Sequence, residues 1–258
     1  MAAQDRPDDI TRRDAAQGWP RRRTIGVDGV LVSFADALSE PANRAALAFA
    51  KAVEGADWPG VAEVSTSLVS VFVRLDPEGT DHAALSARLG GLLAVRDWFA
   101  APLPEGRRLW RVPAVFGTDL APQLDETAAR AGLSAEEAVR QICAAPLRVQ
   151  AIGFAPGQPY LGQLPPAWDI PRQTALTPQV PAGAVVVALR QIVLFSVSTP
   201  TGWRHVGQTA VQLFRPGSDQ PYVLRPGDEV LFQPAPRGAW DALRADGPDG
   251  GARCEVLP

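Results

Sequence analysis

The sequence predicts an α+β N-terminal domain followed by an all-β domain of barrel or sandwich type. Two observations carry this. Up to residue 116 the strand and helix patterns run in the order β-α-β-β-α-β, the split βαβ plan of a sheet with two helices on one face. From about residue 147 short apolar runs alternate with Gly/Pro turns, the signature of many short strands closing on one another. A chain of 258 residues, 46% hydrophobic and 21% charged, can bury a substantial core of either kind.

Each element has its own local reason. Residues 1–22 are polar and unpatterned and are expected to be a disordered tail, with the basic run Arg21-Arg22-Arg23 a solvated edge before the first strand. The domain 23–116 starts with "IGVDGVLVSFA", rich in β-branched residues. In "EPANRAALAFAKAVEG", Pro41 suits a first helical turn, and Leu47, Ala50 and Val53 recur at helical spacing. "GVAEVSTSLVSVFVRLD" reads as two strands broken near Ser65-Thr66-Ser67, with Val69, Val71 and Val73 on one face. A helix with Leu85, Leu89 and Leu92 on one stripe follows, then the strand "RRLWRVPAVF". Residues 117–146 form a helical connector, where Ser134 and Glu137 have capping-box spacing. The all-β domain covers 147–240, and 241–258 is a weakly structured C-terminal tail.

Composition excludes several functions. A net charge of −3 offers no excess positive charge for nucleic acid. No apolar run reaches the roughly 20 residues a membrane span requires, and the opening residues have no apolar signal region. Cys143 and Cys254 lie far apart, which suits a reducing cytoplasm better than a disulfide framework. With only His82 and His205 beside them, no metal site is expected. Lys51 is the only lysine and no GxxxxGK[ST] occurs, so the chain carries no Walker-type phosphate loop and no cofactor is expected in it; ATP would act only through a complex.

Between residues 150 and 215 Asp169 is the only carboxylate, so a paired-carboxylate mechanism lacks its second member there. There is no G-x-S-x-G elbow, and Cys143 has no histidine near it in sequence. Tyr160 serves equally as a site residue or a wall residue, and Trp203 as a structural indole or a flat cavity wall. Alternation along "WRHVGQT" places His205 on the face of Trp203 and Gly207, opposite Arg204 and Val206. It reads as a hydrogen-bonded barrel histidine or as an acid/base group.

The stretches "GFAPGQPYLGQLP", "PRQTALTPQVPAG", "PTGWRHVGQT" and "LRPGDEVLF" occur in the order and spacing of one family, and "PGVAEVSTSLVSVFVRLDP" and "VPAVFGTDLAPQLDETAARAGLSAEEAV" agree with it. Over about residues 25–235 the chain resembles the PxpB/KipI family. This family includes the B-type component of ATP-dependent 5-oxoprolinase, proteins called allophanate hydrolase subunit 1, an inhibitor of a sporulation histidine kinase, and carboxyltransferase subdomains C and D of urea carboxylase. The resemblance implies a cyclophilin-like β-barrel for the C-terminal domain, a homologous C-type subunit as partner, and a small-molecule ligand in the barrel cavity.

Departures from the family pattern share a direction. Gln158 stands where an aromatic is usual, Ile142 replaces a histidine and Leu147 a tyrosine. Pro171-Arg172 is kept, but a second Pro-Arg pair reads Leu176-Thr177. Gln179 and Gln208 replace arginines, Ala184 a serine, Phe195 a tyrosine and Ser196 a proline. Arginine clusters suit carboxylate or phosphate groups through bidentate hydrogen bonds, so their loss implies a less anionic ligand. The resemblance thus leaves Arg172 and Tyr160 as candidate catalytic residues, and His205, which matches no polar position of the family, joins them on its own acid/base chemistry. Gln158, Gly157, Phe195, Trp203, Gln208, Gln179 and Asp169 are candidate substrate-binding residues. Three functions are open to such a chain: a subunit of an ATP-dependent amide (lactam) hydrolase or carboxyltransferase-type complex with an altered polar site, a stand-alone barrel enzyme for isomerisation or cyclisation, or a kinase-inhibitor-type regulator without catalysis.

Overall fold

The computed structural model describes residues 18–257, and the described chain divides into two compact units at Glu105–Gly106. Most of the expected N-terminal tail lies outside the described residues. Arg21-Arg22-Arg23, expected to precede the first strand, is part of it.

The first unit holds a four-stranded antiparallel sheet of β1 (Arg21–Ile25), β2 (Gly29–Ser33), β3 (Val61–Ser67) and β4 (Ser70–Leu75), in the order β1-β2-β4-β3. The break between β3 and β4 falls at Leu68-Val69, where Leu68 takes a positive φ, and not at Ser65–Ser67. Period-two burial puts Val30, Val32, Val71 and Val73 into one core with α1 (Glu40–Gly55) and α2 (His82–Leu93). Ser39 caps α1 by accepting from the Ala42 N–H, and Asp81 caps α2 by accepting from the Ala84 N–H at 2.7 Å. Phe34, Phe49, Trp98 and Phe99 meet edge to face at its centre.

The strand expected to complete this sheet does not belong to it. β5 (Arg108–Phe116) pairs in parallel with β13 (Glu229–Pro234) over six residues. Its other edge is shared by β14 (Arg253–Val256) and β12 (Arg204–Gln208). The physical reason lies in its burial: Leu109, Trp110, Val112, Ala114 and Val115 put apolar side chains on both faces, which requires cover on both sides. The C-terminal residues expected to be weakly structured supply β14.

The remaining strands are β6 (Leu147–Ile152), β7 (Pro159–Gly162), β8 (Thr177–Val180), β9 (Ala184–Ala188), β10 (Gln191–Leu194) and β11 (Thr199–Thr201). The order β6-β13-β5-β12-β9-β10-β7, with β6 also paired to β7, closes a seven-stranded mixed barrel. β8 and β11 form a separate two-stranded sheet. Val149, Leu161, Val185, Val187, Ile192, Leu194, Val206 and Phe232 fill the barrel together with Trp168. Leu124 and Ala128 of α3 (Leu124–Arg130), and Ala138 and Ile142 of α4 (Ala135–Ile142), belong to the same cluster, so the expected helical connector is integral to the barrel. Ser134 caps α4 through the Glu137 N–H, as the spacing predicts.

Asp228, in the "RPGDEVLF" turn, is 1% exposed and holds the barrel seam. It accepts from the Arg108 guanidinium and from the backbone N–H groups of Arg108 (3.2 Å) and Arg225 (3.1 Å).

Candidate functional site

The barrel interior is packed with apolar side chains. The cavity lies on the opposite face of the wall. Along β9, Val185 and Val187 point into the barrel while Ala184, Val186 and Ala188 point outward, into a second apolar cluster with Val180, Val193, Phe195 and Trp203. On β12, His205 pairs with Val186 and Gln208 with Ala184, so both stand on this outer face.

Residues three apart on a regular strand face opposite ways. A register shift between His205 and Gly207 inserts the extra residue that brings Gln208 round to the face of His205. The two are joined: His205 Nε2 lies 3.1 Å from Gln208 Oε1. Gln208 Nε2 donates to the carbonyls of Ala182 at 2.7 Å and Thr209 at 3.1 Å. Those two acceptors fix the amide orientation, so Oε1 faces the imidazole and His205 must donate from Nε2. In the neutral ring, Nδ1 is then the basic nitrogen. Burial pushes the His205 pKa below its ordinary value, against the opposing pull of its hydrogen bonds to Gln208 and at the Gly207 backbone. Gly183 makes room for this arrangement. Its φ is +79°, and a Cβ there would sit 2.2 Å from the Thr209 carbonyl oxygen and 2.9 Å from Gln208 Nε2.

A glutamine relay holds the strand from the side. Gln123 Oε1 accepts from the His205 N–H at 2.8 Å, and Gln123 Nε2 donates to Gln173 Oε1 at 2.9 Å. Gln173 in turn donates to the Trp203 carbonyl at 3.1 Å and to the Thr177 hydroxyl at 3.3 Å.

The resulting cavity has a volume of about 930 Å³. His205, Gln208 and Gln179 line it, with Ser196, Asp119 and Arg244 as further polar groups. The Ser196 Oγ is buried and has no hydrogen-bond partner. Gln179 donates to Ser198 Oγ at 3.2 Å. Asp119 is held by both arms of Arg237, at 2.7 and 2.8 Å, and this hydrogen bonding lowers its pKa to about 2.

Three of the ten sequence-derived candidates therefore share the cavity. Tyr160, Trp203, Phe195 and Arg172 form a neighbouring group outside its lining. Tyr160 meets Trp203 edge to face at 6.1 Å, Phe195 is buried in the same outer cluster, and the exposed Arg172 guanidinium stacks 5.3 Å from the Trp203 ring. Gly157 and Gln158 are buried in the loop before β7, away from the cavity lining, where Gln158 Oε1 has no partner. Asp169 is exposed at the end of a short 3₁₀ turn. Gln123 and Gln173 are not identifiable from sequence, because glutamines in a helical approach and a loop carry no spacing signal. Among the described residues no group of three or more His, Cys, Asp or Glu could hold a metal ion, and no helix is long and apolar enough to cross a membrane.

Comparison with known proteins adds to this geometry. The family model for the carboxyltransferase domain, subdomains C and D, matches residues 20–224. The chain is 30% identical over 216 residues to the B-type component of 5-oxoprolinase from Bacillus subtilis (strain 168), covering 81% of this chain and 90% of that one. It is 35% identical over 186 residues to the corresponding 5-oxoprolinase component of Escherichia coli O157:H7, covering 70% and 82% respectively. Among solved structures, that of TTHA0988 superposes with a TM-score of 0.68 at 33% identity, covering 81% of this chain; the present chain spans 40% of that longer one.

Proposed function

This chain belongs to the family of carboxyltransferase domains, subdomains C and D, and on that premise we propose that it is the B-type component of an ATP-dependent lactam hydrolase acting on 5-oxoproline. The observation that carries this is the extent of the match: nine-tenths of a protein named as that component of 5-oxoprolinase is covered by one chain. The cavity chemistry agrees with a binding and orienting role. Gln179 and the unpartnered Ser196 hydroxyl offer neutral donors and acceptors, and His205 an acceptor at Nδ1, which suit the amide of a lactam. Asp119, locked ionised by Arg237, cannot deliver a proton near neutral pH. His205 Nδ1 is the group able to accept one. The chain has no Walker-type loop, so nucleotide chemistry falls to the other subunits, one of C type among them. Here the polar site holds the lactam while groups of the other subunits, brought against it in the complex, supply the ATP-dependent chemistry that opens its C–N bond.

The test is co-expression with the A- and C-type components and measurement of ATP hydrolysis with and without 5-oxoproline. Turnover dependent on 5-oxoproline is expected, falling at least tenfold in Gln208→Ala through lost positioning. An assembled complex whose ATP hydrolysis ignores 5-oxoproline would refute the proposal.

A further inference from the structure

The family match ends at residue 224, yet two residues lining the cavity come from beyond it: Trp240 and Arg244, one turn apart on α5 (Trp240–Ala245). We propose that this C-terminal segment supplies the anion-reading half of the cavity, with Arg244 the specificity-determining residue for a ligand that carries one carboxylate beside a neutral hydrogen-bonding head.

The segment is fixed at several points. Arg237 grips Asp119 just before the helix. After it, Gln212 N–H donates to the Pro248 carbonyl at 2.9 Å and Arg215 pairs with Asp249 at 2.6 Å. Gly250, at a φ of +53°, lies so close to the backbone of Ala210 that a Cβ would be 2.4 Å from its carbonyl carbon. Ala210, Val211 and Gln212 themselves line the cavity, so the segment is tied to residues of the same lining. β14 then pairs with β5 of the barrel.

Charge counting points to an anion. The charged residues in the lining are Asp119 and Arg244, and Asp119 is neutralised by Arg237. Arg244 makes no ion pair among the described residues, so its guanidinium is the uncompensated charge of the site. Trp240 offers an indole wall beside it. The unpartnered Ser196 hydroxyl and the amide of Gln179 line the same cavity. A guanidinium and neutral hydrogen-bonding groups lining one cavity match a small carboxylic acid bearing an amide or lactam.

This deepens the function proposed above, and rests on it in taking 5-oxoproline as the probe. Binding of 5-oxoproline and of 2-pyrrolidinone, the same lactam without the carboxylate, is measured by calorimetry on the full chain. Coupled ATP turnover of the assembled complex is measured separately. Expected is tighter binding of 5-oxoproline than of 2-pyrrolidinone. Arg244→Ala should remove that preference, weakening 5-oxoproline about tenfold or more and leaving 2-pyrrolidinone unchanged, with partial retention in Arg244→Lys. Equal binding of the two probes by the native chain, no binding of either, or a preference that survives Arg244→Ala overturns the proposal. If the preference depends on Arg244 but the complex shows no 5-oxoproline-dependent ATP hydrolysis, the carboxylate assignment stands and the hydrolase assignment falls.

Discussion

Gln208 decides which nitrogen of His205 carries the proton. Its own amide hydrogens are committed to the Ala182 and Thr209 carbonyls, so only its oxygen is left to face the ring. This makes the imidazole a donor at Nε2 and a base at Nδ1.

Burial disfavours the charged ring, so the folded pKa of His205 lies below the ordinary 6.5. The unfolded chain therefore binds the proton first as pH falls. His205 contributes stability that is fully present above about pH 6.5 and is lost between that value and the lower folded pKa. Urea unfolding across this window should show a midpoint that rises with pH, and His205→Asn should flatten its slope. An unchanged slope would mean the ring is not desolvated as described.

Replacing the partner should invert the balance. In Gln208→Glu a carboxylate faces Nε2 and favours the imidazolium, so the His205 pKa rises above its native value. Two-dimensional NMR can follow this, since His82 is the only other histidine. The same variant leaves the Ala182 and Thr209 carbonyls without a donor, at a cost of roughly 1–3 kcal/mol.

Asp228 predicts a larger loss. Its carboxylate is buried, and it satisfies the Arg108 guanidinium and two backbone N–H groups at the barrel seam. Asp228→Ala should cost about 3 kcal/mol, the lower end for a broken buried pair because Arg108 keeps partial access to water. The denaturation midpoint of the full chain measures it, and a loss below about 1 kcal/mol would contradict the structure.

Cys143 is the reverse of a nucleophile. Burial pushes its thiol up to about 12. At pH 8 its alkylation should be slower than that of a free cysteine by roughly a thousandfold, the ratio of the thiolate fractions. Cys143→Ala should leave 5-oxoproline-dependent turnover intact; abolished turnover would place the thiol in the chemistry.

Much of this molecule was legible locally. The valines of β2 and β4, the cap Ser134, and the Gly/Pro-punctuated strands after residue 147 each carry their structure in a few neighbouring residues. His205 was also identifiable as a polar group on a strand face, and Gln208 and Gln179 through the resemblance to the family. Partner choice was not. A strand such as β5 shows its apolar pattern in sequence but not which edge will take it, and the β-α-β-β-α-β order fitted the wrong sheet as well as the right one.

The sequence by itself therefore determined most of the elements before residue 235 and the family. Tertiary structure decided where the site lies. The barrel closed on a packed interior, which moved the cavity to the outer face. The shifted register opposite β9 turned Gln208 toward His205, which simple alternation would not do. The C-terminal segment then brought Trp240 and Arg244 into the cavity lining from beyond residue 224, where the family match ends. Each depends on pairing between residues distant in the chain, whose energy appears only once the loops between them have closed.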